Sequence, residues 1–347
     1  MAASSKSLRT CAGSSQLPTP PHQTIYSDQR SSSFSTTSPA YSTAQLVKVL
    51  REATGAPMME CKKALSSPEV NNDIEKAREW LRKHGSAKAS SKVAGREALE
   101  GLVGIRIETG EGEGGKRAVA SLVKVASETD FASRSPAFSS FVQEVADSAA
   151  SSTPAEVSDV ASFLSSATNG DGRPLNEGLK DAILAIRENL RVDSISLLEA
   201  SDPDSVLAGY VHGRASPDVT CGTAASIVEV GMTTSDDREG WYVAHDAAKK
   251  LAMHVVAAKP LYLNPASVPE DVVEKEKQIL TEKMEGSNKP PEILEKIVTG
   301  QLRKFYEGIC LSEQSHMVEE GNPKVEKALK GLGLELRGFK LMGMSKS

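Results

Sequence analysis

Between Ser42 and Gly85 apolar residues recur in three short bursts at three- and four-residue spacing, which predicts three helices. Ser42 or Thr43 can cap the first, Leu46, Val47 and Leu50 form its apolar face, and Gly55 ends it. Pro57 suits the first turn of a second, which carries Met58, Met59, Cys61 and Leu65. Asn71, Asn72 and Asp73 offer caps for a third, with Ile74, Ala77, Trp80 and Leu81 on one side and Gly85 as its stop. Three helices in so short a span bury a marginal core, so such a unit usually binds or orients something else.

After a small, basic linker the period changes to two. Residues 102–108 and 118–126 alternate apolar and polar positions and predict a β-hairpin around the Gly-rich joint at 109–117. A helix follows from Pro136, with Phe138, Phe141, Val142, Val145 and Ala149 inward, and the Ser- and Gly-rich stretch 151–175 reads as a connector with little packing of its own. LVG at 102–104 matches LAG at 207–209, and SLVKV at 121–125 matches SIVEV at 226–230, both at an offset of 105. The equal offsets predict a duplicated β-β-α unit. Beyond it come a helix at 244–258, two amphipathic stretches at 268–284 and 291–307 that predict a helical hairpin, a short helix near 322–333 and a strand-like LELRGFKLMG. The expected class is α+β, divided into a leader (1–41), a three-helix unit (42–85), a linker (86–100), two related antiparallel β/α subdomains (101–175 and 176–263), a helical hairpin (264–310) and a C-terminal module (311–347).

Composition narrows the function. A formal charge of −5 without a basic stripe argues against nucleic acid as a direct partner. The longest apolar stretches, such as 251–258, are far shorter than a bilayer span. Cys11, Cys61, Cys221 and Cys310 are scattered without a C-x-x-C pair, which fits neither a zinc site nor a disulfide framework. Residues 1–41 differ from the rest: rich in Ser, Thr, Ala and Pro, with three basic residues against Asp28 alone. That composition fits an organellar transit peptide, with a tail that bears no address as the alternative.

Little in the chain offers chemistry. Gly110, Gly112, Gly115 and Lys116 satisfy phosphate-loop spacings on paper. Arg117 stands where Ser or Thr would be needed, however, and a strand follows in place of a helix. His245 and His254 lie too far apart for a metal pair on one helical turn, so neither metal nor cofactor is expected. The turn ASETDFASRS at 126–135 is more telling, because Phe131 sits amid polar residues. The matching turn of the second repeat, GMTTSDD, has no aromatic residue, so the fold itself does not demand one. Phe131 then serves a partner, or it tucks under its own helix.

LVKVLREATGAPMMECKKAL at 46–65 and VKVASETDFASRS at 123–135 resemble the two signature segments of the elongation factor Ts family. The likeness extends through GREALEGLVGI, AGYVHG, LAMHVVAAKP and EKIVTGQLRKF, from about residue 43 onward. The resemblance implies a three-helix domain similar to ubiquitin-associated domains, a core of two related subdomains and a helical hairpin. It also implies a protein without catalytic residues, which releases GDP from elongation factor Tu by pushing an aromatic ring into the GTPase domain and disturbing its magnesium and phosphate site. By match that turn is Thr129, Asp130, Phe131 and Ala132. Further partner contacts implied by match are Lys62, Ile186, His254, Met317 and Val318, where His254 and Lys62 also admit plain packing and solvation readings. Arg187 stands where the family usually has Gly, which puts the contact near Ile186 in question. With the leader, the resemblance points to an organellar member, in the mitochondrial matrix or alternatively a plastid. The competing expectation is a scaffold that binds a ubiquitin-like protein through residues 42–85.

Overall fold

The computed structural model describes residues 42–85, 95–112, 115–233, 238–283 and 291–344. The leader, most of the linker and the joint of the helical hairpin lie outside the described residues.

Three helices open the described chain: α1 (Thr43–Thr54), α2 (Met58–Leu65) and α3 (Ile74–Trp80), the last continued by one wider turn to Gly85. Ser42 and Gln45 form a reciprocal capping box at the start of α1, and Gly55 ends it at φ 66°, donating its N–H to the Arg51 carbonyl. Asp73 accepts the Lys76 N–H and starts α3. Leu46, Val47, Leu50, Cys61, Leu65, Ala77 and Leu81 share a small core, as their spacing predicts. Met58 and Met59 do not join it and lie exposed on α2. The core is completed from outside by Leu184, more than a hundred residues later in the chain.

The hairpin is present as β1 (Glu100–Gly112) and β2 (Gly115–Ser127), and α4 (Asp130–Ser133) and α5 (Pro136–Ala150) follow. The stretch expected to be a loose connector folds into α6 (Pro154–Val157) and α7 (Val160–Ser166). It buries Val157, Phe163 and Leu164 in the same core as α5. Helices of four and seven residues are too short to show a period; Thr153 and Asp159 cap them, and Ser152, Ser158, Ser165 and Ser166 donate back to carbonyls three or four residues earlier. Next come α8 (Leu175–Ile186), β3 (Arg191–Glu199), β4 (Ser205–His212), β5 (Cys221–Gly222), β6 (Ala224–Met232) and α9 (Arg238–Ala258). The helical hairpin is α10 (Glu270–Glu282) packed on α11 (Pro291–Ile309), and α12 (Val325–Gly331) and β7 (Leu334–Gly343) close the chain.

The strands form two antiparallel sheets, ordered β3-β2-β1-β5 and β4-β6-β7. Helix α5 covers the outer face of the first sheet and α9 that of the second. The inner faces meet in a shared core of Val103, Ile105, Ala120 and Leu122 with Leu207, Val211, Ala225 and Ile227. The result is a four-layer α/β/β/α stack, an α+β fold.

The duplication is real and extends further than the sequence suggested. Ser121 donates from inside the first sheet to the Ala146 carbonyl of α5 at 2.8 Å, and Ser226 repeats the bond to Ala252 of α9 at 2.7 Å. Each central strand also meets its third strand with a bulge at the equivalent place, Lys124/Val125 and Glu229/Val230. The LVG/LAG match, however, is out of register. Leu102 pairs with Val125 and faces α5, whereas the residue paired with Val230 is Val206, and Leu207 faces the opposite sheet. One residue of slip reverses every side chain of a strand, so the first strands correspond at an offset of 104.

The sequence-based boundaries at 175 and 310 also cut through sheets. Helix α8 packs on α5 and β3 pairs with β2, so both belong with the first subdomain. Strand β7, assigned to a C-terminal module, is the third strand of the second.

Candidate functional site

At the end of β2 the chain makes the turn that the sequence singled out. Ser127 donates its hydroxyl to the Thr129 carbonyl, and Thr129 caps the single turn α4 by accepting the Ala132 N–H. Ala132 points inward and is buried. Asp130 pairs with Arg134 at 3.4 Å on the surface. Phe131 points the other way and is 77% exposed, the most exposed of the large apolar side chains among the described residues. The reading in which the ring tucks under its own helix is therefore excluded in this structure.

The turn is held from across the fold by the segment after α8. Glu188 accepts two hydrogen bonds from Thr129, one from its N–H at 2.9 Å and one from its hydroxyl at 2.7 Å. The clasp is returned one residue on: Glu128 accepts the Asn189 N–H at 2.6 Å and lies 3.5 Å from the Arg96 guanidinium. Asn189 in turn donates its side-chain amide to the Arg96 carbonyl at 2.7 Å. None of Glu128, Glu188 and Asn189 was singled out in the sequence, because a carboxylate beside a turn reads as solvated unless its distant partner is known.

Arg187, which stands where the resemblance expects Gly, is the left-handed cap of α8, with φ 66° and its N–H on the Ile183 carbonyl. That conformation is the physical reason for glycine at such a position. The backbone turns there as a glycine would, and Ile186 remains half-buried against the first subdomain.

The remaining matched residues fall in two other places. Lys62 is exposed on α2, one turn from Met58 and Met59, so the three lie on one stretch of helix surface. Met317 and Val318 are exposed on the segment after α11. His254 is fully buried in α9 and is not itself a surface contact. Its Nδ1 accepts the Met317 N–H at 3.2 Å, which leaves the proton on Nε2 for the Gln314 side-chain oxygen at 3.0 Å. Gln314 passes its own amide to the Gly308 carbonyl. His316 sits beside His254, with ring centroids 5.3 Å apart, and accepts the Val318 N–H. Burial above all, with its neighbour His254, pushes the His316 imidazole down to about 4. His254 is lowered too, chiefly by burial. Both rings are neutral near pH 7 and act as fixed supports for the Met317–Val318 backbone.

The described residues of the Gly-rich segment are strand and form no phosphate loop. Gly110 pairs with Arg117 and Gly112 with Gly115 in the β1–β2 ladder. Among the described residues no cluster of His, Cys, Asp and Glu could hold a metal ion, and no helix is long and apolar enough to cross a membrane. Cys61, Cys221 and Cys310 are buried free thiols, with Cys221 and Cys310 pushed up to about 11 by burial.

A family model described as elongation factor TS matches residues 128–345, beginning at the turn itself. A protein named Elongation factor Ts from Paramagnetospirillum magneticum is 40% identical over 305 residues, covering 88% of this chain and 90% of its own length. Namesakes from Bartonella bacilliformis and Rhodospirillum rubrum are 42% identical over 302 residues and 38% identical over 304. Each alignment covers 86% of this chain, with 91% and 90% of the respective relative.

Proposed function

This chain belongs to the elongation factor Ts family, and we propose that it is a guanine-nucleotide exchange factor that binds elongation factor Tu·GDP and promotes release of the nucleotide. The observation that carries the reading is Phe131, an aromatic ring held out into solvent on a turn that is fixed by the Thr129–Glu188 bonds and the buried Ala132. In the proposed complex the ring enters the GTPase domain and disturbs its magnesium and phosphate site. Burying a ring of this size contributes roughly 1.5 to 3 kcal/mol. A thousandfold faster release needs a barrier lower by about 4 kcal/mol, so the ring acts with other contacts. Met58, Met59 and Lys62 on α2 and Met317 with Val318 near α9 are the exposed groups proposed to supply them. The protein contributes no catalytic group of its own, because the work is differential binding.

The proposal has a thermodynamic signature. If the factor weakens nucleotide binding by some ratio, bound nucleotide weakens the factor by the same ratio. Titration of the partner with this protein, nucleotide-free and at saturating GDP, should give a lower affinity with GDP present, equal in ratio to the factor's effect on GDP binding. Equal affinities in the two titrations would contradict the proposal.

A stand-alone receptor role for residues 42–85 is disfavoured by Leu184, which belongs to α8 and completes the three-helix core. The composition of residues 1–41 supports a mitochondrial address, with a plastid as the alternative. A fluorescent fusion of residues 1–45 tests that directly.

A further inference from the structure

We infer that Glu188 is a positioning residue for exchange: its carboxylate sets the angle at which Phe131 is presented, and the segment 184–189 fixes that angle relative to the three-helix unit. The inference rests on the exchange-factor reading and adds to it a residue that acts on the ring through Thr129.

A four-residue helix has no stability of its own, since it closes barely one turn. What holds α4 is therefore its surroundings: the buried Ala132 against the first sheet, and the tether at Thr129. Thr129 is the pivot: its hydroxyl accepts the Ala132 N–H to start the turn, and donates its own proton to Glu188. The Thr129 N–H goes to the second oxygen of the same carboxylate. With both oxygens engaged at 2.7 and 2.9 Å, rotation about the β2–α4 junction is blocked, and Phe131 two residues on inherits a fixed direction. Hydrogen bonds to a carboxylate are stronger than neutral ones, which suits a joint under load. Glu128, beside Thr129, closes the clasp in the opposite sense by accepting the N–H of Asn189, beside Glu188.

The same segment, with Ile183 just before it, reaches a third body. Leu184 lies in the core of the three-helix unit, and Ala185 stands so close to Gly55 that a Cβ there would meet the Ala185 Cβ at 3.0 Å. Ile183 and Ile186 pack into the first subdomain, and Glu188 and Asn189 grip the turn. One helix end thus ties two proposed contact surfaces, α2 and Phe131, to a common frame.

The test uses the full chain and a fluorescent GDP on elongation factor Tu, and compares the intact protein with Glu188→Ala, Glu188→Gln, Phe131→Ala and the Glu188→Ala/Phe131→Ala double variant. Glu188→Ala should lower the maximal release rate about tenfold, as expected for a misdirected group, with at most about a threefold change in the half-saturating concentration. Glu188→Gln keeps one oxygen for the Thr129 N–H and an amide for its hydroxyl, and should recover most of the loss. In the Phe131→Ala background Glu188→Ala should cost nothing further, because it acts only through the ring. A further loss in that background, or an unchanged rate in the single variant, would overturn the inference. A second readout does not need exchange: the Thr129 amide should be protected from hydrogen exchange in the free protein and lose that protection in Glu188→Ala while the β1–β2 amides keep theirs. Should the intact protein fail to accelerate release, the exchange reading falls, and the Thr129 amide alone decides whether the clasp holds the turn.

Discussion

His254 accepts the Met317 backbone N–H at 3.2 Å from a ring that is wholly buried in α9. An imidazole set between two helices for packing alone would have one nitrogen to spare, yet here both are used, Nδ1 by Met317 and Nε2 by Gln314. Replacing it by Ala removes a filled volume and strands both partners. His254→Ala should lower unfolding stability by roughly 2 to 4 kcal/mol, measured by urea denaturation. A loss below about 0.5 kcal/mol, the range of an ordinary surface change, would contradict the assignment.

The histidine pair also makes stability depend on pH. His316 has a folded-state value of about 4, and His254 lies below its ordinary value, while both rise to about 6.5 in the unfolded chain. The unfolded state therefore binds more protons between roughly pH 4 and 6.5, and stability increases with pH across that window. It is fully present above the unfolded value and is lost as the pH falls toward 4. Lys250 adds to the depression of His316 and Glu319 opposes it. The His316 share is at most about 3 kcal/mol. In a His316→Asn variant, whose side-chain oxygen can take the Val318 N–H, the urea midpoint should fall less between pH 6.5 and 4.5 than in the intact protein. An identical fall would mean that other groups set the slope.

Ser121 and Ser226 give the duplication an energetic form. Each donates from a buried strand position to a carbonyl of the covering helix, with no partner in common. Ser121→Ala and Ser226→Ala should each cost about 1 kcal/mol, and the double variant the sum. Strongly unequal costs would mean that the two bonds are not equivalent parts of a repeated unit.

How much of this was legible beforehand depended on whether the information was local. Helix α1, with Ser42 before it and Gly55 after it, is fixed by neighbours in sequence, and its pattern matches the structure. The SLVKV/SIVEV match pointed to bonds that exist. The LVG/LAG match failed because a three-residue string does not say which face it serves, and strand parity is decided by pairing with Val125 and Val230. Residues 151–175 read as loose because their polar residues cap or bond back within helices shorter than a hydrophobic period. Phe131 was visible as an aromatic residue out of place, whereas its support was not: Glu188 is 59 residues from Thr129, and His254 is 63 from Met317. Those distances are closed only by the fold.

Gly55 and Arg187, both left-handed helix caps, should respond oppositely to substitution. Gly55, at φ 66°, faces Ala185 so closely that an added Cβ would be crowded at 3.0 Å, so Gly55→Ala should destabilise by about 1 to 2 kcal/mol and loosen the three-helix unit from α8. Arg187 already bears the left-handed strain at φ 66°. Arg187→Gly relieves that strain and loosens the unfolded chain, for a net gain between zero and about 1 kcal/mol. Thermal or urea midpoints measure both; a tolerant Gly55 together with a costly Arg187→Gly would refute the cap assignment.

The central claim is that an exposed ring does the work, and one experiment addresses it most directly. Release of a fluorescent GDP from elongation factor Tu is followed with the intact protein, with Phe131→Ala and with neither, while urea unfolding of the two proteins is compared in parallel. Because the side chain is 77% exposed, the variant should unfold within about 0.5 kcal/mol of the intact protein, yet lose most of its acceleration of release. A variant that folds as well and accelerates release as much as the intact chain would show that Phe131 is not what displaces the nucleotide.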